Sequence, residues 1–188
     1  MTIKVVHRAD SRDLSDSTMK NGFTAMNGDW AAKSVDNARL FLKKLLADKT
    51  DVSKLKGWDL AKTLFARGVP NLMDISRTIK ENLKDKRVFW VSTSVNKDCG
   101  GYATRDDYNV YEITPKKPLK QYKIEKGEFK LITKRDKALQ PSICFDGDAA
   151  DGSDSNVIAI NSGPLDDEEI SFLTTLDKTW IKQIKKKK

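Results

Sequence analysis

The sequence predicts an α+β fold, helices first and strands after, and two observations carry that prediction. Between Ser34 and Leu83 apolar residues recur at helical spacing. After Lys84 they fall instead into short segments rich in β-branched and aromatic residues, bounded by glycine, proline or charged turns. With 188 residues, 38% of them apolar, the chain is sized for a single domain over 1–188 with an ordinary core. No unbroken apolar run approaches the ~20 residues needed to cross a bilayer.

Taken in order, Ile3 to Arg8 reads as a strand. Its apolar run is interrupted by Lys4 and has no small-residue cleavage site, so it reads as part of the fold and not as a secretion signal. Ala38, Phe41, Leu42, Leu45 and Leu46 mark a core-facing helix capped by Ser34 or Asp36. A second helix is expected from Trp58 to Phe65, stopped by Gly68 and Pro70, and a third from Leu72 to Leu83, where Leu72, Ile75, Ile79 and Leu83 share a face. Strands are expected over Arg87 to Thr93, Tyr108 to Ile113, Ser155 to Asn161, Glu168 to Leu173 and Thr179 to Ile184. From Lys116 to Lys137, lysines alternate with Leu119, Tyr122, Ile124, Phe129, Leu131 and Ile132, as in exposed strands or a hairpin turning at Lys126-Gly127. Asp146 to Ser155 reads as a loop. It does not fit a calcium loop, because Ala150 stands at the fifth position and Asp151 at the sixth, where glycine is needed.

Charge is segregated along the chain. The net charge is +8, with six lysines between Lys178 and Lys188, whereas Asp146 to Glu169 holds eight acids and no base. The lysine-rich tail, residues 185–188, has no interleaved aromatics for stacking bases, so a solvated terminus is favoured over a nucleic-acid arm. Attraction to an acidic partner or surface is the sharper alternative. Cys99 and Cys144 lie far apart in no CxxC pattern, which points to neither a metal cluster nor a redox motif and leaves one optional disulfide or two buried thiols.

Three motifs carry chemistry. Val6-His7-Arg8-Ala9-Asp10-Ser11-Arg12, followed by Gly22-Phe23, sets at the end of the first strand an arginine whose planar fork suits a phosphate or carboxylate. The blander account of it is a surface salt bridge between Arg8 and Asp10 or another acid. Phe89-Trp90-Val91-Ser92-Thr93-Ser94 is a strand finishing in small hydroxyl residues, able to orient a ligand and a neighbouring carboxylate or simply to cap a turn. In Asp166-Asp167-Glu168-Glu169-Ile170-Ser171-Phe172, strand alternation sends Asp167, Glu169 and Ser171 to one face and places two carboxylates roughly 7 Å apart. A solvated acidic loop is the alternative there.

Together and in this order, the three motifs resemble the mono-ADP-ribosyltransferase toxin family of the cholera and pertussis enzymatic subunits. The likeness is anchored at residues 5 to 23, 87 to 94 and 162 to 173, with Tyr108 to Ile113 similar to the family's tyrosine-rich strand. It departs at His7, where tyrosine is common, at Asp167, which replaces the usual first glutamate, and in offering no counterpart of the histidine some toxins use. The resemblance implies two short, roughly perpendicular β-sheets around an NAD cleft with flanking helices. It also implies NAD as co-substrate, no metal, and a host or target-cell protein as acceptor, commonly modified on arginine.

By the same resemblance Arg8 holds NAD, and Ser92, supported by Thr93 and Ser94, steadies Glu169. Glu169 stabilises the oxocarbenium-like transition state, and Asp167 orients or deprotonates the acceptor. The nicotinamide is expected against an aromatic ring. His7 is expected to be structural, and Glu112 is a lower-ranked rival acid, since no second acid stands two residues away. An exported effector acting in a target-cell cytosol is the expectation, with a cytoplasmic protein otherwise. An NAD glycohydrolase of the same fold and a non-enzymatic basic protein, perhaps binding nucleic acid, are the alternatives.

Overall fold

The computed structural model describes residues 2–24, 91–126, 128–133, 142–146, 158–161, 169–172 and 175–188. The three helices expected between Ser34 and Leu83, the aromatic pair Phe89-Trp90, most of the Asp146 to Ser155 loop, and Asp167 lie outside them.

The described residues are mostly β-sheet. In chain order the strands are β1 (Thr2–Ile3), β2 (Val6–Asp10), β3 (Gly22–Phe23), β4 (Val91–Ser94), β5 (Asn109–Ile113) and β6 (Leu119–Glu125). They continue as β7 (Glu128–Leu131), β8 (Ser142–Phe145), β9 (Ile158–Asn161), β10 (Glu169–Phe172), β11 (Leu176–Asp177) and β12 (Ile181–Lys185). Ten of these strands form one antiparallel sheet, nine of them on the path β1-β6-β8-β9-β10-β4-β2-β5-β12 and β7 paired to β6 off that path; β3 and β11 make a separate ribbon. Among the described residues the helical elements are three single turns of 3-10 helix, at Ser17–Met19, Tyr102–Thr104 and Lys178–Trp180, and no helix is long and apolar enough to cross a membrane.

Two short, roughly perpendicular sheets were expected; the described strands instead form one ten-stranded sheet and a two-stranded ribbon, and the large sheet is narrowest between β2 and β4. β2 and β4 pair at one position, His7 opposite Ser94. On one side of that junction lie β1, β6, β8, β9, β10 and β4; on the other lie β2, β5 and β12. The expected strand over Ile3 to Arg8 breaks for the same reason. Ile3 pairs with Leu119 in β6, whereas Val6 pairs with Ile113 in β5, so the chain changes strand partner across Lys4 and Val5.

Local chemistry accounts for the remaining boundaries. The hairpin β6-β7 turns at Lys126, whose φ of 53° is left-handed, beside the glycine that marked the turn. β12 starts at Ile181 and not at Thr179, because the Asp177 carboxylate accepts from the Thr179 amide and hydroxyl at 2.7 and 2.6 Å and closes a helical turn first. The core collects Val6, Val91, Tyr111, Ile113, Ile170 and Phe172 from the large sheet against Met19, Phe23 and Leu176. Burying that apolar face fixes which face of β4 and β10 is left for chemistry.

Candidate active site

Antiparallel pairing of β10 with β4 sets Glu169 opposite Ser94 and Ser171 opposite Ser92. Alternation then sends Ser92, Ser94, Glu169 and Ser171 to one face and Val91, Thr93, Ile170 and Phe172 to the other, which is the core side. His7, opposite Ser94 in β2, continues the first set. The second and third motifs, 77 residues apart between Thr93 and Ile170, are tied directly: the buried Thr93 hydroxyl donates to the Ile170 carbonyl at 2.7 Å.

Arg8 closes this face from across the junction. Because β2 and β4 part after their one pair, the guanidinium can span the gap, and its Nη1 donates to the Ser92 carbonyl at 2.6 Å. Nε and Nη2 both donate to Asp10 Oδ2, at 3.0 and 2.8 Å. Arg12 grips the same carboxylate, Nε to Oδ1 and Nη2 to Oδ2, each at 2.8 Å. Both guanidinium groups lie against the Phe23 ring, 5.2 and 5.6 Å from its centre. The Arg8–Asp10 salt bridge, the blander account of this motif, is thus formed, and with the Asp10 side chain 6% exposed it belongs to a part-buried network with Arg12. Burial works to raise the Asp10 pKa, but hydrogen bonds from Arg12 and the charge of Arg8 outweigh it and hold the group at about 2.

The result is a cleft of about 400 Å³, within the usual size of small-molecule sites. His7, Arg8, Ala9, Ser92, Thr93, Ser94 and Glu169 line it, with Cys99, Tyr102 and Tyr108 from the loop after β4. Arg8, Ser92, Thr93, Ser94 and Glu169, chosen from three distant stretches of sequence, all line this cleft; Asp167 lies outside the described residues. The cleft offers a fork of cationic donors, hydroxyls and one carboxylate.

Roles within the hydroxyl motif differ from expectation. Ser171, and not Ser92, donates to Glu169, Oγ to Oε1 at 2.8 Å; Ser92 instead offers its carbonyl to Arg8. Thr93 commits its hydroxyl to holding β4 on β10, and the Ser94 hydroxyl accepts from the Asn96 amide at 2.9 Å, shaping the turn that follows. Sequence reading marked Asp10 only as a salt-bridge partner of Arg8 and Ser171 only as sharing a face with Glu169, and it marked neither Arg12 nor Tyr102 as part of a site. Asp10 and Ser171 each stand two residues from the group they hold, the spacing that shares a strand face, so that signal was present. Tyr102 sits in the 3-10 turn Tyr102–Thr104, and Tyr108, where the strand was expected to begin, directly precedes β5.

His7 is buried, 4% exposed, with its Nε2 3.9 Å from Glu112 Oε2. Burial lowers its pKa, opposed by the Glu112 charge and the Val95 backbone. Glu112 faces His7 from β5. Cys99 and Cys144 are both free thiols, so the optional disulfide is not formed. Among the described residues no group of three or more His, Cys, Asp or Glu is placed to hold a metal ion. No family model matches the sequence, and neither does any curated protein.

Proposed function

We propose that the chain is an NAD-dependent mono-ADP-ribosyltransferase that modifies a protein, with Glu169 as its catalytic carboxylate. One observation carries the proposal. Arg8, the Ser92-Thr93-Ser94 strand end and Glu169, picked out by their motifs, line a single cleft in which the carboxylate is held by Ser171. Order in a sequence does not bring such residues together; the pairing of β10 with β4 and of β4 with β2 does.

In the proposed reaction the arginine fork of Arg8 binds the phosphate or ribose part of NAD. Cleavage of the ribose–nicotinamide bond builds positive charge on the ribose, and the Glu169 carboxylate accepts from the ribose 2′-hydroxyl and stabilises that charge. Nicotinamide leaves, and the acceptor attacks the ribose carbon after losing a proton to Asp167. Because Ser171 already orients Glu169, the electrostatic work of positioning is done before substrate arrives.

Nicotinamide release and transfer of labelled ADP-ribose to lysate protein, compared between the native chain and Glu169→Gln, test this. Turnover should fall on the order of 10²-fold or more in the variant, which keeps shape but loses charge. Release without protein labelling would mean a glycohydrolase. Equal, negligible turnover by both chains would remove NAD chemistry altogether.

A further inference from the structure

We propose that the lysine-rich segment 183–188 is an internal brace for the cleft, with Lys185 and Lys187 as positioning residues for its ligand. Lys187 acts through Arg12 and Asp10 on Arg8, and Lys185 acts through the turn that carries Tyr102. The effect on NAD kinetics rests on the transferase reading; the bracing itself does not.

The segment is largely exposed, yet it is bonded to two separate parts of the chain that line or support the cleft. Along β12 the register against β5 shifts between Gln183, opposite Tyr111, and Lys185, opposite Val110, so Ile184 is passed over and stands 44% exposed. Such a shift bends a strand and re-aims the side chains beyond it. From there Lys185 Nζ donates to the carbonyls of Ala103 and Arg105, each at 2.7 Å, and the Lys188 amide donates to the Asp106 carbonyl at 3.0 Å. These carbonyls belong to the 3-10 turn Tyr102–Thr104 and the two residues after it, and Tyr102 lines the cleft.

The other anchor is the stretch that follows β2. Lys187 Nζ donates to the Ser11 carbonyl at 2.8 Å, and its amide donates to Asn109 Oδ1 at 2.9 Å. Asn109, fully buried, also accepts from Gln183 Nε2 at 2.8 Å. Its Nδ2 then donates to the Arg12 carbonyl at 2.9 Å, which the Tyr111 hydroxyl reaches as well, at 2.7 Å. Arg12 in turn holds Asp10 through its amide and its guanidinium, and Asp10 holds Arg8. A bond from an ammonium to a carbonyl is charge-assisted, about twice as strong as a neutral one, and it fixes backbone instead of another mobile side chain. The competing account of these lysines is attraction of an anionic ligand by charge alone, which would not depend on which lysine is removed.

Amide hydrogen exchange and NAD kinetics on the full chain, compared among Lys185→Met, Lys187→Met and Lys186→Met, test this. All three remove one charge, and the Lys186 side chain takes no part in the bonds described. Exchange over residues 102–105 should quicken about tenfold in Lys185→Met, and over residues 11–13 about tenfold in Lys187→Met, with both segments unchanged in Lys186→Met. Lys185→Met and Lys187→Met should each raise the KM for NAD about fivefold at unchanged kcat, the mark of lost binding, whereas a purely structural loss would lower the active fraction and leave KM alone. Unchanged exchange in those two variants would overturn the proposal, and so would faster exchange at native KM. An equal rise in KM with all three would also overturn it, in favour of attraction by charge. If none of the chains turns over NAD, the transferase reading falls and the exchange alone upholds or overturns the brace.

Discussion

Asp10 keeps its charge well below the pH at which ordinary carboxylates lose theirs. Two guanidinium groups converge on it, and its value of about 2 lies under the usual 3.8. A group whose folded pKa is depressed stabilises the fold above its unfolded pKa, and that contribution is lost as pH falls through the folded value. Asp10 should therefore contribute on the order of 2 kcal/mol near neutrality, fading between about pH 4 and 2. Urea unfolding of the native chain and Asp10→Asn should show the gap at pH 6 and its closure near pH 2; a gap constant across that range would refute the account. The same substitution leaves Arg8 without its main anchor and should raise the KM for NAD, Asp10 acting as a positioning residue through Arg8.

The β3-β11 ribbon supplies the floor beneath those arginines. Leu176 pairs with Phe23 and Asp177 with Gly22, which buries the Phe23 ring completely, edge-on to Tyr111 at 5.4 Å. Gly22 has φ 101°, and a Cβ there would overlap the Leu176 carbonyl and lie 2.6 Å from the Lys178 nitrogen. Backbone strain and backbone overlap add, so Gly22→Ala should cost about 3 kcal/mol or more, read as a lowered urea midpoint at unchanged slope. A loss under about 1 kcal/mol would mean that the ribbon separates without consequence. The Gly22-Phe23 step thus has a physical reason in this chain: the glycine admits the partner strand, and the phenylalanine carries the cations.

Across the whole molecule, the two cysteines report on how the fold opens. Burial pushes the Cys144 thiol up to about 12, and burial with the neighbouring Asp98 charge pushes Cys99 up to about 11. Neither has thiolate to react with near neutral pH. A disulfide reagent at pH 8 should therefore leave both unmodified in the folded chain and modify both in 6 M guanidinium, and labelling of Cys144 should follow global unfolding as denaturant rises. Rapid labelling of Cys144 in buffer would show that the sheet between β6 and β9 opens independently of the rest.

Period and turn chemistry were enough to place much of this architecture. Alternation marked β5, β6, β9 and β10, Lys126-Gly127 marked the hairpin, and the spacing of Glu169 and Ser171 gave them a common face. These are properties of neighbours along a chain, set by the pleat and by which residues tolerate a turn. What no local pattern holds is who pairs with whom. Only the tertiary structure decided that β1 pairs with β6 while β2 pairs with β4 and β5, that β4 lies between β10 and β2, and that the sheet narrows to the His7–Ser94 pair. It alone gave Ser171 the Glu169 carboxylate and set Tyr102 and Tyr108 at the cleft. Strand partners are chosen by burying one shared apolar face over the whole molecule, and that choice depends on residues far apart in sequence.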